Sequence, residues 1–158
     1  MNKRTFRTQS ERMIFIDPEI RIRNGILEGA VYYVSVEEIA NGDPHYYVIL
    51  NSSFAQGSPI IMVLATSQIA KKREYIALRE LPECTLVVIQ KSEYPHFSKE
   101  TAFNCNEVHV RTMEYLIQKL RNGELKTFQE DIREEILTLL RNGVRASPVV
   151  ENNIKLLL

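Results

Sequence analysis

The chain is poor in the features that mark secreted, membrane or strongly charged proteins. Cysteine occurs only at Cys84 and Cys105, far apart and in no CxxC pattern. Two such thiols build no disulfide framework, and the expectation is an intracellular protein with reduced cysteines. Net charge is also missing, with 20 Lys plus Arg against 20 Asp plus Glu. A neutral chain has no global field to draw it onto nucleic acid or an anionic membrane, so any nucleic-acid site must be a local patch. The longest apolar run, Ile60 to Ala65, is far too short to cross a bilayer. The basic residues Lys3, Arg4, Arg7 and Arg12 have no apolar stretch behind them, so they are not read as a secretory signal. The expected location is cytoplasmic, with no membrane partner.

Recurrent catalytic motifs are absent as well. There is no phosphate-binding glycine loop, no GxGxxG, no GxSxG and no HExxH. His45, His96 and His109 have no metal-ligand spacing among themselves or with the cysteines. The expectation is a protein that works with no cofactor and no metal. No internal repeat, low-complexity segment or Gly/Ser/Pro-rich linker divides the chain.

What is present fits one domain. At 158 residues and 44% hydrophobic content, the chain can bury a core unaided. Residues 1–12 read as a basic arm and 13–158 as a single domain. Between about 28 and 110 the pattern is of short strands separated by turn residues. Ala30 to Val36 and His45 to Leu50 are β-branched and aromatic, with Asn41-Gly42-Asp43-Pro44 turning between them. Ile60 to Thr66, Glu74 to Leu78, Thr85 to Ile89 and Thr101 to Val110 supply four more. Such a series predicts an antiparallel barrel or sandwich. In a barrel, one tyrosine of each pair, Tyr32-Tyr33 and Tyr46-Tyr47, points to the core and the other outward. From about 111 the period becomes helical. Val110, Met113, Leu116, Ile117 and Leu120 form one stripe ended by Asn122-Gly123, and Leu125, Phe128, Ile132, Ile136 and Leu139 a second ended by Asn142-Gly143. Ser147-Pro148 predicts the start of a short last helix. The fold class expected is α+β, mainly β: a small barrel followed by a helical C-terminal tail.

The chemistry concentrates between His45 and Arg73. Thr66 and Ser67 follow an apolar strand directly, His45 begins the neighbouring strand, and Lys71-Lys72-Arg73 comes after, read as a loop. These residue types suit metal-free RNA cleavage, in which the ribose 2′-hydroxyl attacks the adjacent phosphorus. Histidine can transfer protons near neutrality. Thr and Ser hydroxyls can hold the non-bridging oxygens, and the cations can meet the phosphate backbone. Each residue also has a structural reading: His45 as a strand residue, Thr66-Ser67 as a turn cap, and the cations as a solvated surface. His96 and His109 are read as structural, and Glu130, Asp131, Arg133 and Glu134 as a wet helix face.

The order of the pieces resembles the MazF/PemK-like toxin family of type II toxin–antitoxin systems. The similarity lies in Gly29-Ala30-Val31-Tyr32-Tyr33-Val34, in Tyr46-Tyr47-Val48-Ile49-Leu50-Asn51, in Ala65-Thr66-Ser67-Gln68, and in Thr101-Ala102-Phe103-Asn104-Cys105-Asn106 before a helix at Met113. It covers roughly residues 28 to 120 and is nearest the branch with Pro-His at the second strand. The resemblance implies an SH3-like β-barrel, a homodimer, an endoribonuclease acting on mRNA, and a small antitoxin protein that silences it. The family's hydroxyl residue at the third strand falls on Thr66, with Ser67 beside it. The family's arginine at the second strand is replaced by Pro44 or His45, so His45 is the expected proton-transfer group. The alternative is a non-catalytic SH3-like barrel that binds a protein partner or nucleic acid.

Overall fold

Runs of β-branched and aromatic residues between turns do form the strands. The structure is a computed structural model that describes residues 16–36 and 42–158. The basic arm and Asn41 of the first turn lie outside the described residues. The elements are α1 (Pro18–Arg23), β1 (Val31–Ser35), β2 (Pro44–Ile49), β3 (Ile60–Thr66), α2 (Ile69–Leu78), β4 (Leu86–Ile89), β5 (Thr101–Arg111), α3 (Met113–Arg121), β6 (Leu125–Thr127), α4 (Glu134–Ala146) and α5 (Asn152–Lys155). The strands make one six-stranded antiparallel sheet in the order β4-β5-β3-β2-β1-β6. The protein is therefore α+β, as expected. No helix among the described residues is long and apolar enough to cross a membrane.

The sheet is open, which corrects the expected closed barrel. Its edges are β4 and β6, and these do not pair with each other. The reason lies in what covers the sheet. On one face Val31, Val48, Leu50, Ile61, Val63 and Phe103 pack against Leu137, Leu140 and Val144 of α4. On the other, Tyr32, Val34, Tyr47, Ile49, Ile60 and Met62 pack against Ile22 of α1 and Met113, Leu116 and Ile117 of α3. Helices thus bury both faces, where a closed small barrel fills its interior with side chains from its own strands. The tyrosine pairs follow from this layering. Tyr32 and Tyr47 are buried on the α1/α3 face, while Tyr33 and Tyr46 are half-buried against the α4 face. Neither member of a pair is simply outside.

The sheet is joined unevenly across its middle. β1 accompanies β2 from Val31↔Val48 to Ser35↔Pro44, and β5 accompanies β3 to its end at Thr66↔Ala102. Between these halves, β2 and β3 pair only through Tyr47↔Leu64, Val48↔Val63 and Ile49↔Met62. At one end the junction is prolonged. The Leu50 N–H donates to the Ile61 carbonyl at 2.9 Å. The buried Asn51 side chain then accepts from the Ile61 N–H at 2.7 Å and donates to the Pro59 carbonyl at 2.9 Å. At the other end no strand pairing joins Pro44–Tyr46 to Ala65–Thr66 among the described residues, so the two halves fork.

Several local expectations change. Residues 74–78 are not a strand, and Lys71-Lys72-Arg73 is not a loop; both belong to α2. Ala, Lys, Arg, Glu and Leu are strong helix formers, and only Ile76 of that helix is buried, so no apolar stripe announces it. α3 begins at a Thr112 cap, whose hydroxyl accepts from the Tyr115 N–H at 3.3 Å, and ends at Asn122 as expected, although Val110 belongs to β5. The second expected stripe breaks up. Leu125 lies in β6, Phe128 and Ile132 in the following segment, and α4 starts only at Glu134, with Leu139 exposed. Asn142-Gly143 does not end that helix. Gly143 lies inside it because a Cβ there would come within 2.8 Å of the Cys105 Sγ and 3.0 Å of the Cys84 carbonyl oxygen. Ser147 is the buried residue closing α4 rather than opening the next helix, and α5 starts at Asn152.

Two stability predictions follow from these contacts. Gly143→Ala should destabilise the protein by about 1–3 kcal/mol through overpacking, whereas an unobstructed helix would gain up to about 1 kcal/mol from the same change. The shift of the urea unfolding midpoint reads the sign. Asn51→Ala strips a buried N–H and a carbonyl of their partner and should cost about 1–3 kcal/mol in the same measurement. An unchanged midpoint would mean that the Asn51 side chain does not hold the junction.

Candidate functional site

The fork between the two halves of the sheet holds a groove of about 620 Å³. Tyr33, Pro44, His45 and Tyr46 line it from the β1–β2 half. Leu64, Ala65, Thr66, Ser67 and Gln68 line it from the end of β3. Lys72 enters from α2, Phe97, Ser98 and Lys99 from the segment before β5, and Thr101, Glu107 and His109 from β5. Backbone that has left the ladder has no neighbouring strand to shield it, so the ends of β2 and β3 present side chains to an open space.

Of the six residues singled out from sequence, four meet here: His45, Thr66, Ser67 and Lys72. Lys71 and Arg73 do not line this groove. Helical spacing turns residues 71 and 73 away from residue 72, and Arg73 lines a separate groove between α2 and β4. His45 is half-buried, and its Nδ1 lies 2.8 Å from the Asp43 carbonyl oxygen. A carbonyl can only accept, so this contact assigns the proton to Nδ1 and leaves Nε2 as the basic nitrogen of the neutral ring. Thr66 Oγ1 accepts from the Gln68 N–H at 3.1 Å. The hydroxyl therefore caps the turn, as its structural reading has it, while its own O–H is not used in that bond. Lys72 Nζ stands 3.4 Å from both carboxylate oxygens of Glu107, so one cation of the groove already faces an anion.

Aromatic rings form one wall. Tyr33 and Tyr46 have ring centroids 4.7 Å apart, and Tyr46 meets Phe97 edge-on at 5.1 Å. The Tyr46 hydroxyl donates to the His96 carbonyl at 3.1 Å. Burial, with Tyr33 beside it, holds the Tyr46 phenol above its ordinary range. This tyrosine is thus a fixed wall rather than a ready acid.

The other two histidines separate. His96 lies outside the groove, with Nε2 2.8 Å from Glu130 Oε2 and its ring against Phe128. This hydrogen bond is the main cause of the lowered Glu130 pKa. Arg133 pairs with Glu93 at 3.0 Å. Glu130, Asp131, Arg133 and Glu134 are all exposed, as expected, but only Glu134 is on α4, and Glu130 and Arg133 also strap this segment to the one carrying Glu93 and His96. His109 lines the groove, and its ring meets Tyr47 edge-on at 5.4 Å. The signal available in sequence was the strand alternation of Glu107 and His109, which puts both on one face of β5. Lys99 and Glu107 carried no signal of their own.

Among the described residues, no three His, Cys, Asp or Glu side chains gather as a metal-binding group would require. The arrangement offers two imidazoles, the hydroxyls of Thr66, Ser67, Ser98 and Thr101, two ammonium groups and one carboxylate around a space large enough for a nucleotide or a peptide segment. The chain matches no known family by sequence profile, and it matches no curated protein.

Proposed function

We propose that the groove cleaves single-stranded RNA without a metal ion, as an endoribonuclease of the MazF/PemK-like type. The observation that carries this reading is the convergence of His45, Thr66, Ser67 and Lys72 from β2, β3 and α2 on one groove. His45 Nε2 takes the proton of the ribose 2′-hydroxyl. The hydroxyls of Thr66 and Ser67 hold the non-bridging oxygens, where negative charge builds up. Lys72 exchanges Glu107 for the phosphate, while Tyr33 and Tyr46 offer ring faces to unpaired bases. In this reading the sheet is an SH3-like barrel left open between β4 and β6. The protein acts on mRNA as a homodimer and is silenced by a small antitoxin protein. One observation favours the rival reading, a non-catalytic module that binds a protein or nucleic acid: the Lys72–Glu107 pair leaves the groove with little excess positive charge.

End-labelled single-stranded RNA, incubated in EDTA, separates the readings. The wild-type protein should yield discrete fragments. His45→Ala should cut about 10²–10⁴-fold more slowly, and Thr66→Ala about 10²–10³-fold more slowly, with folding retained in both. Intact RNA in the wild-type lane would sink the nuclease reading.

RNA affinity across a salt series, measured in the His45→Ala background, tests the phosphate contact. Lys72→Ala should lower the slope of log affinity against log salt by about 1. Lys71→Ala and Arg73→Ala, which lie off the groove, should leave the slope unchanged.

A further inference from the structure

β5 does not follow β3 evenly. Val108 pairs with Val63 and Phe103 with Ala65, so Asn104 to Glu107 face Leu64 alone. This bulge is held by buried polar bonds. The Asn106 amide donates to the Thr85 hydroxyl at 2.8 Å and to Asn104 Oδ1 at 2.9 Å, and the Asn106 N–H donates to Asn104 Oδ1 at 3.2 Å. Bulges bend a strand and re-aim the side chains beside them. The residue at the end of this one is Glu107, which lines the groove together with Leu64 and Lys72. The fold thus fixes a carboxylate in a groove read as a site for phosphate.

Glu107 meets Lys72 with both of its oxygens. Lys72 Nζ stands 3.4 Å from each of them. A phosphate offers oxygens to an ammonium group in the same manner. The Lys72 and Glu107 side chains are 22% and 46% exposed, and an ion pair in contact with solvent is weak. It occupies Lys72 and can still be displaced. A ligand that displaces it stays close to the carboxylate, and the repulsion between them grows with the ligand's charge. An internal phosphodiester carries a single negative charge, whereas a terminal phosphate carries about 1.5 to 2 at pH 7.

We propose that Glu107 is a specificity-determining residue of the groove: a built-in rival for Lys72 that shifts its preference from a terminal phosphate toward an internal phosphodiester. The inference rests on the nuclease reading, because it takes Lys72 as the cation that meets phosphate. Glu107 weakens the hold on every phosphate ligand. It weakens the hold on a doubly charged one about twice as much on a logarithmic scale. The groove is thereby biased to the interior of a strand rather than to a phosphate-bearing end. A carboxylate that only steered Lys72 into place would act in the opposite sense, and its loss would weaken binding.

The test measures the affinity of two probes: a 2′-deoxy dinucleoside monophosphate, which holds one diester and cannot be cut, and a nucleoside 3′-monophosphate. Glu107→Gln keeps the shape and removes the charge. It should bind the diester about 2–5-fold more tightly than wild type, and the monophosphate about 4–25-fold more tightly, twice the logarithmic gain. Glu107→Ala should act in the same direction. With Lys72→Ala in place, Glu107→Gln should gain less for both probes, because no cation is released. Glu74→Gln makes the same change of net charge at an exposed position of α2 off the groove, and should leave both affinities unchanged. If Glu107→Gln weakens binding, gains equally for the two probes, or gains as much without Lys72, Glu107 is no rival for phosphate, and the nuclease reading stands without it. If neither probe binds any of these proteins while RNA is cut in EDTA, the proposal falls alone; if the RNA also stays intact, both fall.

Discussion

Three residue pairs hold the two halves of this protein's sheet together. Tyr47, Val48 and Ile49 of β2 meet Leu64, Val63 and Met62 of β3, and all but Leu64 are fully buried. Full burial of side chains of this size stabilises by roughly 1.5–3 kcal/mol each. They also project alternately to the two faces, so the junction belongs to both cores at once. Asn51 closes one end by imitating the next rung of the ladder. The other end is free to open, and the groove lies there. The same short overlap therefore accounts for the two-sided core and for the position of the site.

The sequence made the strands legible where their local chemistry was unambiguous. β3 has the bounds that its apolar run predicts, and β1, β2, β4 and β5 fall within a few residues of the expected ranges. The failures have physical causes. α2 buries one residue and so shows no helical stripe; Tyr75-Ile76 there resembles a strand only when read alone. Gly143 resembles a helix stop, yet its small size is required by Cys105 across the interface, and a tertiary contact leaves no local trace. Closure of the sheet is a still more distant property. Nothing in the spacing of short strands tells whether strand side chains or a helix such as α4 will cover a face of the sheet.

The site was legible in the same uneven way. His45, Thr66 and Ser67 lie at strand ends, and strand ends are where polar residues after an apolar run reach open space. Lys72 was found within a triplet that the helix then divides, one cation to the groove and its neighbours elsewhere. His96 and His109 looked alike in sequence and differ because of their surroundings. His96 joins an aromatic and acidic strap outside the groove; His109 stands two strands from His45. Only the strand order β5-β3-β2 makes that relation visible.

The groups that meet in the groove are divided between the halves of the sheet. His45, Tyr46 and Tyr33 ride on the β1–β2 half, and Thr66, Ser67, Glu107 and His109 on the β3–β5 half, with Lys72 following α2 after β3. Among the described residues no strand ladder joins Pro44–Tyr46 to Ala65–Thr66. Their separation is therefore set by the angle at which the two halves leave the Tyr47–Leu64 pair, and by the bridge from the Tyr46 hydroxyl to the His96 carbonyl on the segment before β5. That bridge, together with the His96–Glu130 and Glu93–Arg133 contacts, ties the loop carrying Phe97 and Lys99 to both Tyr46 and the segment leading into α4. Residues that offer no group to a ligand thus fix the width of the groove. Chemistry across a gap of this kind tolerates little misplacement, so the fork geometry is as much a part of the site as the side chains that line it.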